Sequence, residues 1–277
     1  MLLIDSHCHL NYDYDGKTAA DLVREAHDEG VGFLVSIGVD LETLAAVVAV
    51  SEQFETVFHT VGVHPHEAEK TVALGREAVV AALTAGAQHS KCVAIGELGL
   101  DYYYEHSTRE AQQVLLQWQL DLALECGKPI VVHGREAEAD LQRMLTAHAE
   151  KWAVKWGNPR EAGGKPIGVI HCFTSSEAFG QACIELGFYI SFSGILTFKK
   201  ADDLRLACLH FPLERMLVET DSPYLAPVPF RGKKGEPRMV KQTALKVAEI
   251  KGVSFDEVAR ITSENTQHLF NLPHFGP

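Results

Sequence analysis

Short runs rich in β-branched residues recur along the chain, and a helical pattern of roughly 10 to 20 residues follows each of them. We count eight runs, which are approximately Leu2–Ser6, Gly32–Ile37, Thr56–Val61, Cys92–Ile95, Ile130–Val132, Gly168–Ile170, Phe188–Ser191 and Met216–Glu219. Apolar residues return at three- and four-residue spacing between them, for example in Thr18–Glu29, Leu41–Gln53, Thr108–Cys126, Ala137–Ala149 and Ala201–Leu209. Similar patterns at Met239–Lys251 and Ser254–Phe270 close the chain. Strands and helices are therefore predicted to alternate throughout.

This alternation predicts an α/β protein. Eight βα units in 277 residues match the size and order of one (β/α)8 TIM barrel. A doubly wound parallel sheet is the alternative. The apolar share of 46% and the lack of a break in composition favour a single domain over residues 1–277.

Potential metal ligands follow most of the runs, at the points where βα loops begin. Because side chains alternate along a strand, His7 and His9 can bind one ion while Cys8 faces away. Later runs are followed by His64 and His66, Glu97 and Asp101, His133 and Arg135, His171, and Glu219 and Asp221. One such residue alone is more often a solvated loop residue or a helix cap. Their recurrence at the strand ends, where TIM barrels place their active groups, indicates a site.

Other histidines fall elsewhere in the pattern. We interpret four of them as structural or surface residues: His27, His89, His148 and His210.

Four imidazoles and two carboxylates at one rim suit a pair of divalent ions. Glu97 is the natural bridge between them. Two ions about 3.5–4 Å apart lower the pKa of a shared water and orient it, which predicts hydrolysis. Asp221 can bind one ion and also accept the proton from the attacking water. Imidazoles favour Zn, Ni, Co or Mn, whereas Mg prefers more oxygen, so the sequence does not distinguish among these metals.

Several ordered motifs carry a family resemblance. They are His-Cys-His-Leu at 7–10, Gly-Val-His-Pro-His at 62–66, Gly-Glu-Leu-Gly-Leu-Asp-Tyr at 96–102, His133 with Arg135, His-Cys-Phe at 171–173, Glu-Thr-Asp-Ser-Pro-Tyr-Leu at 219–225, and Arg231-Gly-Lys-Lys with Glu236-Pro237. Together they resemble the TatD family of metal-dependent deoxyribonucleases, in the amidohydrolase superfamily.

The resemblance implies a TIM barrel of the metallo-dependent hydrolase type with a two-metal site. By motif position, His7 and His9 would hold the first ion, His133 and His171 the second, Glu97 would bridge them, and Asp221 would complete the first site. His64 would lie in or beside the site as a further catalytic group, behind the ligands or facing a phosphate. We assign His66, Arg135, Arg231 and Lys233 to substrate binding.

Two features depart from the family pattern. Gly134 stands where many relatives have a small hydroxyl or amide residue, which affects substrate contacts rather than metals. The segment Trp152–Lys165 is longer than the usual link before the sixth strand. Such links lie on the rim opposite the active site, so surface decoration is the preferred interpretation and partner binding the alternative.

Charge limits how the chain can bind DNA. With 25 Lys and Arg against 37 Asp and Glu, the net charge is −12, which opposes broad capture of a polyanion. Local contacts to single strands or DNA ends are favoured instead. Cations predicted on the catalytic rim are Arg135, Lys199, Lys200, Arg231, Lys233, Lys234 and Arg238, as a phosphate clamp or as a solvated charge run. Tyr102, Tyr103 and Tyr104 can stack on bases or pack the rim.

Six cysteines without a C-x-x-C pair indicate a reducing compartment. Cys172, like Cys8, is expected to point away from the ligands. No membrane span and no signal peptide is visible, so we predict a cytoplasmic protein without a membrane partner.

The leading hypothesis is a divalent-metal-dependent deoxyribonuclease that acts on DNA ends. One alternative is an ester or amide hydrolase such as an aminoacyl-tRNA deacylase, since the same water can attack a carbonyl. Another is a non-enzymatic binding protein, which the complete ligand set argues against.

Overall fold

The computed structural model describes residues 2–104 and 106–274, so the predicted domain of residues 1–277 extends beyond the described residues at both ends. Within them, eight parallel strands form one sheet in sequential order. The strands are β1 Leu3–Cys8, β2 Val31–Ser36, β3 Val57–Val61, β4 Cys92–Asp101, β5 Ile130–Arg135, β6 Gly168–Ile170, β7 Tyr189–Phe192 and β8 Met216–Val218. The prediction of a TIM barrel is confirmed, and the doubly wound alternative is wrong.

The barrel closes between the first and last strands. A parallel bridge joins Cys8 to Ser222, and the His9 amide donates to the Ser222 carbonyl at 2.9 Å. The Asp221 amide likewise donates to the His7 carbonyl at 2.9 Å. Closure therefore sets Asp221 beside His7 and His9, although more than 200 residues separate it from them in sequence.

Helices connect the strands on the outside. They are α1 Ala19–Asp28, α2 Leu44–Gln53, α3 Ala68–Val72, α4 Arg76–Ala87, α5 Arg109–Cys126, α6 Glu138–Trp156, α7 Glu177–Glu185, α8 Asp202–His210, α9 Val240–Lys251 and α10 Phe255–Phe270. Side-chain oxygens of Thr18, Thr108 and Ser254 accept from backbone amides in the first turn, which is why α1, α5 and α10 begin where the sequence predicts.

Two apolar layers hold the barrel together. One layer contains an inward-facing residue from most strands, such as Ile4, Val35, Val131 and Leu217. The other lies between the strands and the helices and includes their sequence neighbours, as Leu3 is next to Ile4. This period-two alternation leaves the strand ends free for polar groups.

Strand β4 continues six residues beyond its predicted end at Ile95. Two glycines at positive φ, Gly96 and Gly99, make this possible. A Cβ on Gly99 would lie 1.9 Å from the carbonyl oxygen of His133, so only glycine allows β4 to approach β5 this closely. The sequence pattern suggested a strand end because glycine usually interrupts strands.

The segment Trp152–Lys165 is partly helical, which corrects the predicted helix end at Ala149. Helix α6 runs on to Trp156, and Trp152 is fully buried with its indole donating to the Lys165 carbonyl at 3.0 Å. The Trp156 indole donates to the Leu124 carbonyl at 2.8 Å. This segment packs onto the barrel through its tryptophans.

Within residues 2–104 and 106–274, no helix is long and apolar enough to cross a membrane.

Candidate metal centre

The Glu97 carboxylate lies at the centre of the predicted ligands. Its Oε1 is 2.8 Å from His171 Nε2, 3.2 Å from His133 Nδ1 and 3.4 Å from His64 Nε2. Its Oε2 is 3.4 Å from His7 Nε2. One carboxylate thus faces imidazoles on two sides, which is the arrangement a bridging ligand requires.

A second carboxylate completes the other side of the centre. Asp221 Oδ1 lies 3.5 Å from His7 Nε2 and 3.4 Å from His9 Nε2. The imidazoles of His7 and His171 stack at 3.9 Å between ring centroids. His7 therefore belongs to the groups around both carboxylates.

Potential ligand atoms within 4.8 Å of one another form three groups in the described residues. These are His7, His9 and Asp221; His7, Glu97 and His171; and His64, Glu97 and His133. All the metal ligands expected from the sequence are brought together. The grouping differs in two respects. His133 and His171, expected at one ion, fall in separate groups, with His171 beside His7. His64 stands beside Glu97 and His133 as a potential ligand rather than behind them.

Unpartnered buried nitrogens show that these residues suit a metal. Both ring nitrogens of His7 and Nδ1 of His9 are buried without a hydrogen-bond partner. A buried polar atom left unpaired costs about 1–3 kcal/mol, which coordination to a cation would remove. A donor set of imidazole nitrogens and carboxylate oxygens fits divalent transition ions.

The electrostatics favour anionic carboxylates. Burial by itself raises the pKa of Glu97, but the facing charge of His171, whose own pKa is raised, and the hydrogen bonds from His133 and His171 outweigh it, and the pKa lies well below its usual value. Burial also opposes ionisation of Asp221, and the hydrogen bond from His9 and the charge of His171 turn its pKa downward. Burial lowers the pKa of His7, and it lowers the pKa of His64 well below its usual value. Both carboxylates are therefore charged at neutral pH.

A further ring of carboxylates orients the histidines. Asp101 Oδ2 lies 3.0 Å from His133 Nε2 and 2.9 Å from His66 Nε2. Glu219 Oε1 lies 3.3 Å from His171 Nδ1 and accepts from the Cys172 amide at 2.7 Å. Carboxylates that hold the second nitrogen of a ligating histidine fix its tautomer and orientation.

The sequence places Asp101 and Glu219 among the potential ligands at the strand ends, but we assigned neither of them to an ion or to the substrate. The buried Asp5, which accepts from the amide and the hydroxyl of Thr220 at 2.9 and 2.6 Å, was missed as well. The available signal was a carboxylate within or at the end of a strand predicted to be buried, a position that requires a partner.

The centre opens into a cavity of about 1020 Å³. His66 and Arg135, two of the four residues assigned to substrate binding, line it. Arg231 and Lys233 do not line it and are exposed on the loop after β8. The Arg231 guanidinium lies 3.8 Å from the ring centroid of Phe198.

The other rim cations differ in their surroundings. Lys234 pairs with Asp13 and Asp15 at 2.5 and 2.9 Å, and Arg238 pairs with Glu236 at 2.5 Å. Their charges are thus already matched within the protein, which removes these two from the clamp hypothesis. Lys199 and Lys200 are exposed on the loop after β7.

The two cysteines beside the ligands differ in position. Cys8 is fully buried in the layer between strands and helices, as expected. Cys172, expected to point away from the site, instead lines the cavity with Sγ 3.3 Å from the Ser193 hydroxyl. Its φ of 43° departs from the strand geometry on which that expectation rested.

Comparison with known proteins identifies the family. The sequence model of TatD related DNases matches residues 4–271. The chain belongs to the TatD family. Two relatives described as uncharacterized metal-dependent hydrolases are YcfH of Escherichia coli K12, 38% identical, and YabD of Bacillus subtilis, 34% identical. The matches cover 98% of this chain and 97% and 100% of the relatives, respectively.

Solved structures agree with this assignment. The TatD homologue YjjV of Escherichia coli K12 is 28% identical, with a TM-score of 0.85 and a match covering 98% of both chains. N-isopropylammelide isopropylaminohydrolase of Burkholderia multivorans is 15% identical, with a TM-score of 0.59. The match covers 96% of this chain and 73% of that enzyme, and it shows a shared fold alone. The TatD-family chain is a metal-dependent hydrolase.

Metal removal should lower stability because a ligand that binds only the folded state stabilises it. Saturation at 100 times Kd contributes about 2.7 kcal/mol, and for a domain of this size each kcal/mol shifts Tm by roughly 2–4 °C. We expect chelation to lower Tm by about 5–10 °C and a divalent ion to restore it, measured by differential scanning calorimetry.

His9→Gln should shrink the chelation shift, whereas the surface control His27→Gln should keep it. An unchanged Tm after verified metal removal would contradict a metal centre built from these residues.

Proposed function

We propose that this protein is a divalent-metal-dependent deoxyribonuclease that hydrolyses phosphodiester bonds at DNA ends. The observation that supports the proposal most is Glu97, which faces His7 through one oxygen and His64, His133 and His171 through the other. Such a carboxylate can bridge two ions. The description of the matching family as DNases names the same chemistry.

Two bound divalent ions would supply an activated water and stabilise the oxygens of an in-line displacement. The residues of the chain divide the remaining tasks. The ions would be held by Glu97, Asp221 and the four imidazoles of His7, His9, His133 and His171. Asp221, ionised and opening to the cavity, accepts the proton of the water. His64 is the next group able to do so, and His66 and Arg135 contact the phosphate from the β3 and β5 side.

The charge of the cavity favours a narrow phosphate contact. Asp40, Glu67, Glu136 and Glu138 line it together with the ligands, and Arg135 is the only lysine or arginine among its described lining residues. A long polyanion lying across this surface would meet repulsion. A single-stranded end that brings only one phosphate to the metal centre would meet the least repulsion.

The same acidity supports a second candidate, hydrolysis of an ester or amide such as that of an aminoacyl-tRNA. A substrate group with a positively charged amine would meet Asp40 and Glu136 favourably.

A substrate panel on one purified, metal-analysed sample separates the two functions. We expect turnover of single-stranded DNA oligonucleotides and little turnover of aminoacyl-tRNA or small carboxylic esters. Faster turnover of the carboxylic esters than of DNA would overturn the nuclease proposal. The number of ions per chain is measured on the same sample, and two are expected. A cytoplasmic location remains part of the proposal, supported by six unpaired cysteines.

The exposed rim cations offer a further test. Arg231→Ala with Lys233→Ala should raise the KM for DNA several-fold and leave turnover of a small chromogenic phosphodiester unchanged, because the two residues lie outside the cavity. Lys234→Ala is the matched control, since that lysine is neutralised by Asp13 and Asp15. Equal losses on both substrates would mean that the loop only supports the fold.

A further inference from the structure

Two tyrosines stand exposed at the cavity edge, on the loop between β4 and α5. Tyr103 and Tyr104 are 51% and 42% exposed, and Tyr104 lines the cavity. Their rings meet edge to face at 4.8 Å. The Arg135 guanidinium lies 4.0 Å from the Tyr103 centroid and 4.6 Å from that of Tyr104. We call these three side chains the aromatic platform.

The neighbouring Tyr102 shows what a purely structural tyrosine looks like here. Its hydroxyl donates to Asp140 at 2.9 Å and accepts from Gln113 at 2.8 Å. Its ring lies 4.3 Å from the Arg109 guanidinium, and the side chain is only half-buried. Tyr102 therefore joins the loop to helices α5 and α6. Within residues 2–104 and 106–274, the hydroxyls of Tyr103 and Tyr104 make no such hydrogen bond, and both side chains are exposed.

The platform is rigidly tied to the metal centre. Asp101 Oδ1 accepts from the amides of both Tyr103 and Tyr104 at 3.0 Å. The other oxygen of the same carboxylate contacts His133 and His66. One buried aspartate thus holds the backbone of both tyrosines and also orients a predicted metal ligand, His133.

The platform also lies within a short reach of the reacting centre. The Tyr104 ring is 5.7 Å from that of His66, and the His66 ring is 6.4 Å from that of His133. His106 stacks on Tyr104 at 5.7 Å with an angle of 23° between planes, which adds a third ring to this edge of the cavity. A nucleotide whose phosphate reaches Glu97 and its imidazoles would therefore carry its neighbouring base over this surface.

We propose that the aromatic platform stacks an unpaired base of the DNA strand beside the scissile phosphate. This inference rests on the proposed function and specifies how the strand is held. Aromatic faces and arginine planes bind the π-face that every base has, so the contact is tolerant of sequence and requires an unstacked, single-stranded base. It adds affinity in a cavity where acidic residues limit what charge alone can contribute.

Base stacking of this kind contributes about 1–3 kcal/mol, which corresponds to roughly a 5- to 150-fold effect. We therefore compare two single-stranded oligonucleotides, one intact and one with abasic residues at the cleaved end. Tyr103→Ala with Tyr104→Ala should lower kcat/KM on the intact strand by roughly 5- to 150-fold, mainly through KM. For the wild type, kcat/KM should be lower on the abasic strand than on the intact strand by a similar factor. For the alanine variant, kcat/KM should be nearly equal on the two strands.

The matched control is Tyr103→Phe with Tyr104→Phe, which retains the ring faces and should keep wild-type discrimination between the two strands. Circular dichroism verifies the fold of each variant. Equal losses of the alanine variant on both strands, or no loss on either, would overturn the stacking proposal while the nuclease assignment stands. Failure of wild type to cleave either strand would overturn the nuclease assignment and the stacking proposal together.

Discussion

Glu97→Gln should reduce turnover to below about 1% of wild type while the fold persists. The amide keeps the shape of the side chain but removes the charge that faces imidazoles on both sides. Substitution of a residue that only supports a metal ligand typically lowers metal affinity or activity 10- to 100-fold. Loss of the bridging charge itself should lower turnover by at least the upper end of that range. Glu97 belongs to neither apolar layer, which is why the fold should survive.

Turnover and circular dichroism together test this expectation. Glu67→Gln is the matched control, because that residue lines the same cavity but pairs with Lys70 at 2.6 Å and belongs to none of the three groups of potential ligands in the described residues. A folded Glu97→Gln variant that retains more than about a tenth of wild-type rate would remove the bridge assignment.

Asp221→Asn should lower kcat by at least about 100-fold even where both ions stay bound. Asparagine keeps an oxygen toward His7 and His9 but cannot accept a proton, and general-base catalysis contributes typically 10²- to 10⁴-fold. Metal content must be measured with the rate, since lost ions would give the same decline in turnover.

Near-wild-type activity of Asp221→Asn at full metal occupancy would show that another group takes the proton. His64 is then the first residue to replace, because its Nε2 lies 3.4 Å from Glu97 and burial holds its pKa well below the usual value. Asp40→Asn, a cavity carboxylate whose oxygen accepts from the Thr43 amide at 2.7 Å, is the control for loss of a negative charge alone.

The order of elements was readable in the sequence because the two periodicities are local. Helices α1, α5 and α10 begin within a residue of their predicted starts, where Thr or Ser caps the first turn. The ends of β4 and α6 were not readable. Gly96 and Gly99 continue a strand only because β5 passes close beside them. Helix α6 runs beyond its predicted end at Ala149 because Trp152 is buried, which the spacing of apolar residues did not indicate.

The sequence by itself determined which residues meet at the rim, because parallel barrel strands all end on one face and histidines or carboxylates follow most of them. Only the tertiary structure decided how they group. It set His64 beside Glu97, paired Lys234 with Asp13, and used one Asp101 carboxylate for both His133 and the exposed tyrosines. Distances of this kind depend on how strands far apart in sequence close into a barrel and which rotamers their packing allows, and no local pattern encodes them.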